Sequence, residues 1–168
     1  MTLGNPYKFA VLVDTIKDWN IDDTFCNGLL LFFVDGCLYP NEIITATLRC
    51  EVEPLIQKLA NPAVDKRLYG LSAQQAFSEI YRISFPDNID VASDNRFDIS
   101  PPSLSDHGYF LFSVSDGTSI RILASKLEYK PEVSRHNLHD IAVNEVHIET
   151  SELNEIALGL NGFIDSWE

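Results

Sequence analysis

The chain has 168 residues, 45% hydrophobic and 22% charged, the proportions of an ordinary soluble globule and a length suited to one domain spanning 1–168. Twelve Lys and Arg against 25 Asp and Glu give a formal charge of −13 at pH 7, and such a chain is repelled by nucleic acid and by anionic membranes. No apolar run reaches the ~18 residues of a membrane span, no signal peptide is evident at the N-terminus, and three cysteines make no disulfide framework, so a cytoplasmic protein is expected.

Gly4-Asn5-Pro6 reads as a turn. The segment Tyr7 to Asp14 follows as a predicted strand, its centre Phe9-Ala10-Val11-Leu12-Val13 apolar on both faces. Residues 15–25 are polar and read as a loop carrying a lone Trp19. In the run Leu29 to Val34, Leu29, Leu31 and Phe33 take one face of a strand and Leu30, Phe32 and Val34 the other. That pattern predicts a central strand covered on both sides.

Asp35-Gly36 is a type I′ turn dipeptide. It sends the chain back through Cys37-Leu38-Tyr39 until Pro40, which cannot donate to a ladder. Ile44, Ala46, Leu48 and Cys50 alternate with Thr45, Thr47, Arg49 and Glu51, which predicts a further strand. Cys26, Cys37 and Cys50 all fall in apolar strand contexts, where free Cys acts as a small hydrophobe.

Glu51, Glu53 and Pro54 look like a helix start, with Leu55, Ile56 and Leu59 inward and Asn61-Pro62 as the stop. Ser72 and Gln75 fit a capping box, and Ala73, Ala76, Phe77, Ile80 and Tyr81 recur at helical spacing. Residues 84–107, rich in Pro, Asp and Ser, predict an extended loop with a short edge strand near 96–99. A second hairpin runs from Tyr109 through Asp116-Gly117 to Tyr129, and 142–149 alternates as an edge strand. The last helix is expected to start at a Ser151 cap, to place Leu153, Ile156, Leu160, Ile164 and Trp167 on one face, and to bend or stop near Gly162. The resulting fold class is α+β. It is a mainly antiparallel sheet built on two Asp-Gly hairpins, with two short central helices and a C-terminal helix packed on it.

Few residues suggest chemistry. His136-x-x-His139-Asp140, with His147 beyond, offers ligand types proper to zinc, but without a third fixed ligand. The sequence contains no Gly-x-Ser-x-Gly elbow, Walker loop or GxGxxG. What remains is an acidic body suited to binding another protein. The acid is uneven: Asp87, Asp90, Asp94 and Asp98 share one stretch with a single Arg, and 136–168 has seven acids and no Lys or Arg.

Gly4-Asn5-Pro6-x-x-Phe9-Ala10, then Gly28, Leu31-Phe32-Phe33-Val34-Asp35-Gly36 and Thr47-Leu48 resemble the immunity protein 42 family. These are cytoplasmic antidotes of bacteria, encoded beside polymorphic or contact-dependent growth inhibition toxins. The resemblance covers mainly the first 50 residues. It implies an α+β fold, no enzymatic activity, no cofactor, and one partner, the toxin domain of an adjacent gene. Charge fits that role independently, because a nuclease needs a basic cleft and an acidic antidote is steered onto it. The expectation is therefore an antitoxin that occludes the active-site cleft of a nuclease, most simply an RNase, as a monomer or weak oligomer. The resemblance supplies no contact motif, so physical grounds select Asp87, Asp90, Asp94 and Asp98 of the Asp-rich loop first, then Asp18, Trp19, Asp22 and Asp23. The alternatives are a zinc-dependent hydrolase using His136, His139 and Asp140, and a non-catalytic adaptor domain.

Overall fold

The computed structural model describes residues 1–20 and 26–165. Strands β1 (Thr2–Gly4), β2 (Phe9–Thr15), β3 (Asn27–Val34), β4 (Cys37–Tyr39) and β5 (Ala46–Thr47) come first. Helices α1 (Leu48–Ala60), α2 (Lys66–Tyr69), α3 (Ala73–Ser84) and α4 (Pro102–Ser105) follow. Then come β6 (Tyr109–Ser115), β7 (Ser119–Lys126), β8 (Tyr129–Lys130), β9 (Arg135–His136), β10 (Asn144–Glu149) and α5 (Thr150–Asp165). The class is α+β, as the sequence predicts.

The named strands pair antiparallel in a five-stranded sheet (β1-β2-β3-β4, with β5 also on β3), a three-stranded sheet (β10-β7-β6) and a β8-β9 ribbon. Phe9, Val11 and Val13 of β2 and Leu30, Phe32 and Val34 of β3 share one core with Leu111, Ile120 and Ile122 of the second sheet. Helices α1 and α5 close that core with Leu48, Val52, Ile56, Leu153, Ile156 and Leu160. The other face of the second sheet, Phe110, Phe112, Val114 and Leu123, packs under Phe77, Ile80 and Tyr81 of α3 and Leu68 of α2. So β6 is buried along its whole length, while β3 buries only alternate residues.

That alternation corrects the expectation for β3. It is central within its sheet, between β2 and the pair β4 and β5, but Leu29, Leu31 and Phe33 are only half-buried. Helices α1 and α5 both settle on the inward face, so period two names two apolar faces without saying how many are covered. The strand predicted over 44–50 is also corrected: two residues pair with β3, and the helix begins at Leu48. Leu48, Val52, Leu55, Ile56 and Leu59 form a helical stripe whose first members also fit an alternating pattern. Glu51 then accepts the Thr47 N–H at 3.1 Å and anchors the first turn, leaving Pro54 mid-helix.

Asp35 and Gly36 both take positive φ (52° and 74°) between paired Val34 and Cys37, the expected type I′ turn. The second hairpin turns differently. There the Asp116 carboxylate accepts the Thr118 and Ser119 N–H groups at 2.8 and 2.9 Å, and only Gly117 has positive φ. The capping box of Ser72 and Gln75 is formed. Residues 97–99 lie along β6 through Ser113 N–H to Phe97 O and Ile99 N–H to Leu111 O, so an edge segment stands where one is predicted.

The last helix starts at Thr150, one residue before the predicted cap, and Glu152 reaches back to the Glu149 N–H at 3.0 Å. It runs through Gly159 and Gly162 to Asp165 without stopping; Trp167 lies outside the described residues. Strand β1 was not expected, and Cys37 and Cys50 are exposed rather than packed.

Candidate functional site

The acidic loop leaves the C-terminus of α3 and returns at Phe97, and its four aspartates have different surroundings. Asp87 is exposed and pairs with Arg135 at 2.8 Å, with both side chains more than half exposed. Asp90 is exposed and forms no ion pair. Asp94 is held by its own segment: Arg96 pairs with it at 3.0 Å and donates its backbone N–H to the same carboxylate. Asp98 is buried at 8% exposure and accepts the Ser100 N–H at 2.8 Å. Burial pushes its carboxyl above the ordinary value, against the lowering effect of the hydrogen bonds from Ser100. Asp98 therefore belongs to the framework, and the loop is exposed without a break over residues 87–93. Ile89 is 98% exposed and Val91 53%, an apolar tip between carboxylates.

The second group begins in a 3₁₀ turn at Lys17–Trp19. Asp18 is exposed and Trp19 half-buried. Asn20 fixes this turn to the start of β3, donating to Ile16 O at 2.7 Å and Asn27 O at 2.9 Å and accepting the Asn27 N–H. Asp22 and Asp23 lie outside the described residues.

The zinc alternative finds no geometry. His136 is half-buried, bonded through Nδ1 to the Tyr81 hydroxyl at 2.8 Å, and packed on Phe110 and Tyr129. Burial holds its pKa below the usual imidazole value. His139 and Asp140 stand in solvent and pair with each other, and His147 is turned to Tyr69. Among the described residues no three His, Cys, Asp or Glu side chains converge as metal ligands. No helix among them is long and apolar enough to cross a membrane.

Acids outnumber bases 25 to 12, and with half the bases in ion pairs inside the chain the excess is carried by carboxylates without a partner. Lys8, Arg67, Arg96, Arg121, Lys126 and Arg135 pair with Glu152, Glu79, Asp94, Glu145, Glu42 and Asp87. Among the described residues Asp14, Asp18, Asp35 and Asp90 are exposed with no ion-pair partner.

The family model for immunity protein 42 matches residues 1–163. The chain belongs to the immunity protein 42 family. The match runs from β1 into α5, far beyond the first 50 residues whose motifs carry the resemblance in the sequence. This immunity protein is also similar in fold to the crystal structure of CdiI from Burkholderia dolosa AUO158, with a TM-score of 0.72 over 99% of each chain at 23% identity. No curated protein sequence matches it. Charge alone does not point to the apolar members of the immunity protein's surface, Ile89 and Val91 at the loop tip and the outward side chains of β3. A signal was present: two aliphatic residues in an Asp-rich stretch have no periodic partner to bury them, and a two-faced apolar strand asks what covers its second face.

Proposed function

We propose that this immunity protein neutralises a cognate toxin domain of a contact-dependent growth inhibition system by covering the toxin's active site, with no catalysis or cofactor of its own. The toxin is a nuclease, an RNase in the simplest case, whose basic cleft holds phosphates. The antidote waits in the cytoplasm as a monomer or weak oligomer. One observation carries the reading. A formal charge of −13 is displayed through carboxylates that no internal base neutralises, as at Asp18 and Asp90. Such a field raises the encounter rate with a positive partner, while affinity comes from a few desolvated anchors.

Asp87 and Asp90 flank the exposed Ile89, which gives the loop both elements. Asp18 and Trp19 repeat the combination, a carboxylate beside a large ring. Asp87 and Asp94, tied to Arg135 and Arg96, contribute less than the unpaired Asp90, and the buried Asp98 supports the loop from beneath. The test is an RNA-degradation assay with the toxin domain encoded by the adjacent reading frame. One equivalent of this protein abolishes cleavage if the reading holds; undiminished cleavage at several equivalents refutes it.

A further inference from the structure

We infer that the outward face of the β2-β3-β4 sheet is the surface on which the toxin domain anchors, taking a partner that presents an apolar patch ringed by Lys and Arg. This rests on the antitoxin reading above and names the surface that reading leaves open.

The accessible part of this face is Leu12, Leu29, Leu31, Phe33 and Leu38, set around Ala10, which is itself fully buried. Register fixes them on one side: Ala10 stands opposite Phe33, Leu12 opposite Leu31, and Phe33 opposite Leu38. Their neighbours Val11, Val13, Leu30 and Phe32 point the other way into the first core, and none of the five accessible residues belongs to either core. Leu12, Leu29, Leu31 and Phe33 remain partly accessible, and Leu38 is 37% exposed.

Folding does not ask for this composition. An antiparallel sheet with one wet face normally alternates apolar-in and polar-out. A contiguous exposed apolar face with a polar rim marks an interaction site instead.

The rim says what covers it. Asp14 lies on the same face directly opposite Leu29, Asp35 stands in the turn at one end, and Asp18 follows in the segment that Asn20 ties to β3. None of the three has an ion-pair partner among the described residues. Of the positive groups beside them, Lys8 is engaged by Glu152, while Lys17 and the N-terminal ammonium, which donates to Val13 O at 2.7 Å, remain against three carboxylates. A second copy is the wrong occupant. An isologous contact brings the same patch onto itself, so acidic rim would face acidic rim between two bodies of −13 each. A basic protein satisfies both the apolar centre and the rim.

The experiment measures binding of the full chain to the toxin domain encoded by the adjacent reading frame. It compares wild type with Leu31→Gln, Leu12→Thr, Asp14→Lys and, as a control on α5, the exposed Leu158→Gln. Urea melts verify folding, and Leu12→Thr, which keeps a strand-forming residue, stands in if Leu31→Gln unfolds. The face predicts a Kd raised about tenfold or more for the two Leu variants, mainly through faster dissociation. It predicts an association slower by roughly several-fold for Asp14→Lys at low salt and a change within about twofold for Leu158→Gln. Wild-type affinity in the folded Leu variants overturns the face and leaves the antitoxin reading standing. A free protein that sediments as a dimer dissociated by Leu31→Gln gives the face to a second copy and also overturns it. Wild type that neither binds nor inhibits removes the antitoxin reading, and this inference with it.

Discussion

Asp98 shares a loop with Asp90, yet its carboxylate is 8% exposed and receives the Ser100 N–H. Burial raises its folded pKa above the ordinary 3.8. The charged form is therefore the costly one. The stability Asp98 contributes is fully present below that ordinary value and is lost as pH rises through the folded value. Asp98→Asn keeps an acceptor for Ser100 and removes the charge. It should match or exceed wild-type stability at pH 7, with the gap closing toward pH 4. Asp98→Ala leaves the Ser100 N–H unpaired and should cost about 1–3 kcal/mol at either pH. Urea melts at the two pH values check both. The joint variant Asp87→Asn, Asp90→Asn touches only exposed side chains and should shift stability by less than about 0.5 kcal/mol. Composition reveals an acidic loop but cannot rank its members. Asp98 is fixed by Phe97 and Ile99 entering the sheet beside β6, a pairing across sequence that no local pattern encodes.

Elements with their own chemistry were legible in the sequence. The α3 capping box and the Asp35-Gly36 turn are written in adjacent residues and form as read. Where the pattern was ambiguous, tertiary packing decided: α1 takes over a segment that alternates like a strand, and α5 runs through two glycines. Those glycines and Gly28 separate local cost from packing. A Cβ on Gly28 would sit 2.0 Å from the Asp14 carbonyl oxygen, backbone that cannot step aside. Gly28→Ala should break the β2–β3 register and cost more than about 3 kcal/mol, or prevent folding, seen in the urea midpoint. Gly162 has nothing within 4 Å of the same position. Gly162→Ala should stabilise by up to about 1 kcal/mol, because α5 loses only its glycine penalty. A Cβ on Gly159 would come within 2.5 Å of Leu3 Cδ2 of β1, so close approach of strand and helix, rather than a break in the helix, accounts for it.

At the scale of the whole molecule, charge was legible from composition, and class from the rhythm of strands and helices. The coverage of each sheet was not. Two apolar faces on β3 imply two neighbours, but only one lies among the described residues, and the other is assigned to the partner. An acidic body with an uncovered apolar face makes two demands of that partner: positive charge for the encounter and apolar surface for the grip. Neutralising Asp87 and Asp90, which stand on the loop after α3 and not on the β2-β3-β4 rim, should slow association roughly several-fold while leaving dissociation nearly unchanged, because exposed charges act through the field at the encounter. Stopped-flow fluorescence would separate the two rates. The most direct measurement of the central claim is the association rate between this protein and the toxin domain of the adjacent reading frame, followed from about 20 mM to about 150 mM salt. The account predicts a fall of about tenfold or more over that range. A rate that stays flat would contradict it.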